Sequence, residues 1–262
     1  MKFLRIQAIV MRHLYLYKRN PARVMDLFFW PIMEILLWGF LSLYIEKSSL
    51  ANINIVTILL GGIIFWDFLS QSQRAVSIGF LEEVWERNFL NIFVTPLRLS
   101  EFLTATGILA FIRIVLVGVV IAIAAYIGYA FNIFAFGFYL IPFLACLLFF
   151  GWLMGLFTTG IILRYGSSAQ VIAFGILFLV QPFSAVFYPV SVLPHILQYV
   201  AYAIPSTYVF EGMRAVAQTG TLPWNLLIGG ILSNLVYAVV IIFYFYRTFA
   251  KVKEKGKLLK LD

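Results

Sequence analysis

The sequence predicts an all-α integral membrane protein, a bundle of six transmembrane helices, and three observations carry that expectation. Apolar residues make up 63% of the 262-residue chain and charged residues only 11%, against about a quarter in soluble domains. Apolar runs of about twenty residues, enough to cross the hydrocarbon core as a helix, recur along its length. Basic residues gather on one side once the loops between those runs are assigned alternately. The weak alternation over about ten residues that marks a membrane β-barrel is missing.

Residues 1–20 predict an amphipathic helix lying in the headgroup region. Phe3, Ile6, Val10, Leu14 and Tyr17 fall on one stripe, with Arg5, Arg12 and Arg19 opposite. Asn20-Pro21 breaks this segment from the next. Spans are expected at about 24–45, 54–73, 103–127, 138–163, 169–189 and 224–246, followed by a basic tail over 247–262. With these boundaries the N-terminal segment holds Lys2, Arg5, Arg12, Lys18, Arg19 and Arg23. The second-to-third loop holds Arg74, Arg87 and Arg98, and the fourth-to-fifth loop holds Arg164. The tail adds Arg247, Lys251, Lys253, Lys255, Lys257 and Lys260, so sixteen of the nineteen Lys and Arg share one side. The positive-inside rule then places both termini in the cytoplasm and requires an even number of spans. The N-terminal stretch has no compact apolar core with a small-residue cleavage site, so the first spans are expected to direct insertion themselves.

Two connections are more than turns. The cytoplasmic segment from Arg74 to Ser100 carries Glu82, Glu83 and Glu86, with Glu101 just beyond it. Thr95-Pro96 can start a short helix there, Thr95 as cap and Pro96 in the first turn. The outer segment from Pro189 to Pro223 also contains Pro194 and Pro205 and stays moderately apolar. Such a stretch predicts short helices dipping into the outer leaflet, buried against protein or lining a wet cavity. Within it Glu211 and Arg214 stand three apart and can pair on a helix.

Inside the spans lie Glu34, Asp67 and Arg113. Isolated charges at that depth are costly, so Arg113 is expected to pair with Glu34 or Asp67, as a structural ion pair or as part of a transport path. Trp30, Trp66, Trp85 and Trp224 fall near span ends, where an interfacial belt would place them.

Enzyme chemistry finds little support. The chain has no GxxxxGK[ST] phosphate loop. Its only histidines, His13 and His195, fall on opposite predicted sides, which argues against a histidine metal centre. The Gly166-Ser167-Ser168 turn lies far from His195, against a serine-protease arrangement. Cys146 is alone, so neither a disulfide framework nor a thiolate cluster is expected.

The two long connections carry a resemblance. Glu86 to Leu103, ERNFLNIFVTPLRLSEFL, resembles the cytoplasmic segment of the type-2 ABC exporter permeases. Val186 to Val216, VFYPVSVLPHILQYVAYAIPSTYVFEGMRAV, is similar to that family's outer signature. The cytoplasmic stretch departs from the family where Trp85-Glu86-Arg87-Asn88 replaces a Gly before Leu-Glu, which leaves open which acid meets the ATPase. The resemblance implies a type V exporter-like domain with an N-terminal interfacial helix, a cytoplasmic coupling helix and outer re-entrant helices. It implies ATPase-coupling roles for Glu82, Glu83, Glu86, Arg87, Thr95, Pro96, Arg98 and Glu101. It also implies an outer gate at Pro189, Pro194, Pro205, Glu211 and Arg214. The first, second and fifth spans would line a path between two permease copies, identical or paralogous, in the bacterial or archaeal inner membrane. Two ABC ATPase subunits would hold ATP and Mg, with no cofactor on this chain and no nucleic-acid partner. An autonomous ion-coupled carrier using Glu34, Asp67 and Arg113 is the alternative, and a neighbouring ATPase subunit is what separates the two.

Overall fold

A computed structural model describes residues 2–48, 55–85, 95, 97–132 and 137–254. Nine α-helices and no strands are found among the described residues. They are α1 (Lys2–Arg19), α2 (Pro21–Ser48), α3 (Ile55–Trp85), α4 (Leu99–Tyr129), α5 (Leu140–Tyr165), α6 (Gln170–Val180), α7 (His195–Ala203), α8 (Pro205–Thr219) and α9 (Trp224–Glu254). Asn20 makes the corner between the first two: its side-chain oxygen accepts the Ala22 N–H at 3.2 Å, and Pro21 opens α2 where no donor is needed.

Helices α2, α4, α5 and α9 are long and apolar enough to cross a membrane. Helix α3 has the same 31 residues as α4, but its second half is polar and charged. The expected end of the second span near residue 73 is therefore not the end of the helix. Hydropathy falls there, yet the helix runs on to Trp85 because neighbouring helices bury its polar turns. At 1.5 Å per residue α3 and α4 are each about 46 Å long, some 16 Å more than the hydrocarbon core. The C-terminal end of α3 and the start of α4 are both charged. Where a span over 169–189 is expected, α6 covers 11 residues and gives way to a 3₁₀ turn over Gln181–Phe183.

Helices α3 and α5 form the centre. Between Leu60 and Val84 nearly every residue of α3 is buried, and Leu147, Leu153 and Leu156 of α5 are wholly enclosed. Their close approach is set by Gly151 and Gly155. A Cβ at Gly151 would lie 2.5 Å from the Leu69 carbonyl oxygen, and one at Gly155 would lie 2.8 Å from that of Gln73. This small-xxx-small spacing lets two backbones meet where the hydrophobic effect gives helices in lipid little reason to associate. Polar bonds line the same seam: Ser72 Oγ donates to the Leu148 carbonyl at 2.7 Å, and Gln73 Nε2 to Thr158 Oγ1 at 3.4 Å. Helix α9 is tied to α5 through Asn234, whose amide donates to the Cys146 carbonyl at 3.2 Å. The outward sides of α2, α4 and α9 expose Leu37, Phe40, Val119, Val239 and Phe243, a surface suited to lipid or another membrane chain.

Because α3 is enclosed by its own protomer, it presents almost no face to a second copy. Of the three spans expected to border a path between copies, α2 and α6 keep large exposed apolar side chains such as Phe40 and Leu179.

Candidate functional site

The charged residues collect at the two ends of α3. At the C-terminal end of α3, α1 lies in the groove between the last turns of α3 and the first half of α4. Arg5 Nη1 reaches Glu101 Oε2 at 3.4 Å, and Tyr17 Oη accepts a hydrogen bond from Arg113 Nη2. Both contacts join residues 96 apart, so α1 and α4 run parallel in one register over the twelve residues between them.

Across the groove, Arg12 is ion-paired with Glu83. His13 sits between two carboxylates, Nε2 at 3.3 Å from Glu83 Oε1 and Nδ1 at 3.6 Å from Glu82 Oε2. Arg23 Nε adds a contact to Glu82 Oε1 at 3.9 Å. Ile9 and His13 are buried at the centre of this interface, with Ile6 and Val10 packed beside them. Of the apolar stripe expected on α1, Ile6, Val10, Leu14 and Tyr17 are half-buried in the protein, whereas Phe3 stays 74% exposed. Arg5 and Arg12, expected to turn away toward anionic lipid, flank the buried face and pair with carboxylates of the same chain.

The same geometry changes the reading of the expected coupling residues. Glu82, Glu83 and Glu101 are buried inside this three-helix arrangement rather than displayed on its surface. A carboxylate is tolerated there because guanidinium partners compensate its lost hydration. Arg98 is exposed, and its backbone N–H donates to Glu101 Oε2 at 2.9 Å, fixing the start of α4. Thr95 is exposed in a turn. Glu86, Arg87 and Pro96, with the expected coupling helix itself, lie outside the described residues.

The intramembrane charges divide in a way the spacing did not foretell. Arg113 faces α1, with its guanidinium carbon 4.9 Å from the Tyr17 ring centroid. No ion pair joins it to Glu34 or Asp67 among the described residues. Asp67 is hydrogen-bonded by Gln71 and lies within electrostatic reach of Arg74 and Glu34. Arg74, expected in a loop, lies within the continuous helix, two turns from Asp67 on the same side of α3. A cavity of about 310 Å³ opens here, lined among others by Tyr17, Arg23, Asp26, Arg74, Glu82 and Arg113.

At the opposite end of α3, prolines punctuate the chain as expected. Pro189 precedes a 3₁₀ turn over Val190–Val192, Pro194 precedes α7, and Pro205 opens α8. Glu211 and Arg214 do pair, Nη2 to Oε1 at 3.1 Å. They do more than decorate a helix surface. The same Glu211 oxygen accepts the Val190 N–H at 2.7 Å, and Arg214 Nη1 reaches the Val186 carbonyl at 3.5 Å. The pair thus staples the incoming loop to α8, and Ser184 and Ser206 add a buried hydroxyl contact at 2.8 Å. A second cavity, about 500 Å³, lies beside the staple and includes Ile58, Phe187, Glu211 and Arg214 in its wall.

Glu211→Ala removes both the partner of a buried guanidinium and the cap of the 3₁₀ turn. We expect a loss of about 3 kcal/mol, read as a lower unfolding temperature in detergent. Cleavage of the 186–194 loop by an externally added protease should rise in parallel, and wild-type resistance would refute the stapling role.

Helices α2 to α7 and most of α1 and α8, with both charged ends, fall within the stretch of chain that a known family shares. Comparison with curated proteins gives no match. A family model described as ABC-2 type transporter matches residues 5–217.

Proposed function

The chain belongs to the ABC-2 type transporter family, and we propose that it exports an amphiphilic substrate, a drug, lipid or glycoconjugate, from the cytoplasm using ATP hydrolysed on another subunit. As a family member it is the multi-pass permease of an ABC transporter and works with an ABC ATPase subunit. Two permease copies, identical or paralogous, would receive two ATPases. The bundle would cross the inner membrane six times, with α3 and the α6 region as the second and fifth passages and both termini in the cytoplasm. ATP and magnesium would be held entirely by the partner.

The observation that carries this reading is the ion-paired assembly of α1 with the protruding ends of α3 and α4. A permease without a nucleotide site needs a stiff cytoplasmic projection through which an ATPase can act. Here Glu82, Glu83 and Glu101 lock α1 to that projection. Residues 86–98 would meet the ATPase directly, with Glu86, Arg87, Thr95, Pro96 and Arg98 at the contact. The buried carboxylates would carry the displacement into α3 and α4. At the far end, the Pro189, Pro194 and Pro205 turns and the Glu211–Arg214 staple would close the outer side.

The test replaces residues 86–96 with a Gly/Ser linker and leaves the buried acids in place. Co-expressed with its ATPase, the variant should insert and purify as the wild type does. Its ATP hydrolysis should drop to the rate of the isolated ATPase, and substrate export should stop. Undiminished substrate-stimulated hydrolysis would reject the coupling role of this segment.

A further inference from the structure

We propose that the cavity at the foot of α1, α2, α3 and α4 binds a phosphate-bearing group at the level of the cytoplasmic headgroups. Its depth follows from α3. Ile58 lines the outer cavity and Ile78 this one; twenty residues of helix separate them by about 30 Å, the thickness of the hydrocarbon core. The two cavities therefore sit at the two headgroup levels. This one holds about 310 Å³, at the lower end of the range for small-ligand pockets, roughly 300 to 1,000 Å³.

The cations of the lining outnumber its carboxylates by one, and Arg74 also lies within electrostatic reach of Asp67 and Glu34 beyond it. Three guanidinium groups, Arg23, Arg74 and Arg113, share the wall with two carboxylates, Asp26 and Glu82. Asp26 accepts the Trp30 indole N–H at 3.1 Å, and Glu82 is occupied by His13 and Arg23. Arg113 is the informative group. It is only 6% exposed, Tyr17 engages one terminal nitrogen, and no carboxylate pairs with its guanidinium among the described residues. A buried guanidinium with no carboxylate partner, in the wall of a cavity that Arg74 also lines, suits a phosphate as its counter-charge. Half-exposed Trp85 at the rim supplies the amphipathic ring that interfacial sites commonly carry. The phosphate could belong to an acyl-chain lipid or to a soluble phosphate ester. The geometry recognises the shared group, and binding does not depend on the transport reading.

The full-length permease, purified alone in maltoside detergent, is titrated with phosphatidic acid, with diacylglycerol and with glycerol 3-phosphate. Binding is followed as a shift in melting temperature. Phosphatidic acid and diacylglycerol differ only in the phosphate, so the former should bind about tenfold more tightly or better. Arg113→Gln and Arg74→Gln should each weaken phosphatidic acid binding about tenfold, with Arg74→Lys restoring part of it. Arg74 is only half-buried, so its variants remain informative even if Arg113→Gln fails to fold. The exposed Arg164→Gln should leave binding unchanged. Saturation by glycerol 3-phosphate would assign a soluble ester, and response to the lipid alone would assign a headgroup. Equal affinity for phosphatidic acid and diacylglycerol, full affinity in Arg74→Gln, or an equal loss in Arg164→Gln would overturn the proposal.

Discussion

Gly151→Val is expected to prevent the bundle from assembling. The first added carbon would stand 2.5 Å from the Leu69 carbonyl oxygen and 2.8 Å from the Ser72 Cβ. These atoms belong to, or are fixed to, the backbone of α3 and cannot swing aside as a long side chain would. Relief requires α3 and α5 to move apart. That would break the Ser72–Leu148 and Gln73–Thr158 bonds and open the seam between two enclosed helices. Overpacking alone costs about 1–3 kcal/mol; with the polar seam lost as well, we expect about 4 kcal/mol or more. The measurement is the monodisperse fraction recovered by size-exclusion chromatography in mild detergent. Gly128→Val is the control, because a Cβ there meets nothing within 4 Å. Similar yields for the two variants would show that the glycine seam does not set the packing.

Glu83→Ala should have the second-largest effect. Glu83 is wholly buried and faces both Arg12 and His13. Removing it takes one carboxylate from buried His13 and the ion-pair partner from Arg12, whose side chain is 32% exposed; we expect a cost of about 3 kcal/mol, the lower end for breaking a buried pair. We expect α1 to leave its groove while the apolar bundle survives. Limited trypsinolysis reads this directly, since Arg5, Arg12, Lys18 and Arg19 all lie in α1. The variant should be cut within this helix under conditions where the wild type is spared. Arg12→Leu combined with Glu83→Leu should recover most of the protection, because two apolar side chains of similar size can replace a buried ion pair at little cost. Cleavage of the wild type at the same rate as Glu83→Ala would disprove the latch.

The parts of this architecture that were legible in the sequence depend on solvent. Apolar run length marked α2, α4, α5 and α9 because lipid demands about twenty such residues from any helix that crosses it. Proline punctuation marked α7 and α8 because proline is favoured at helix starts. The Glu211–Arg214 pair was legible because its members are local. What escaped was long-range. Glu83 and Arg12 are 71 residues apart, and Arg113 and Tyr17 are 96 apart, so no local periodicity connects them. Ending the second span where hydropathy fell confused leaving the lipid with ending the helix, and it hid Arg74 as the neighbour of Asp67. The Gly151-x-x-x-Gly155 spacing was present in an apolar stretch and could have been used. Its meaning depended on which helix it faced, which only the assembled bundle supplies.

Enclosure of α3 has a mechanical consequence. A helix gripped on every side has no room to buckle, and a close-packed interior transmits strain rather than absorbing it. Near its outer end, Gly62 is so close to the incoming loop that a Cβ there would lie 2.7 Å from the Val186 carbonyl oxygen, the same oxygen that Arg214 holds. Helix α3 is thus a connecting rod, seated at one end among the carboxylates that grip α1 and at the other beneath the loop that Arg214 fastens. A displacement of its Glu82–Glu83 end would reach that loop about 30 Å away with little lost in between, so the two charged ends of the bundle are joined without a flexible relay.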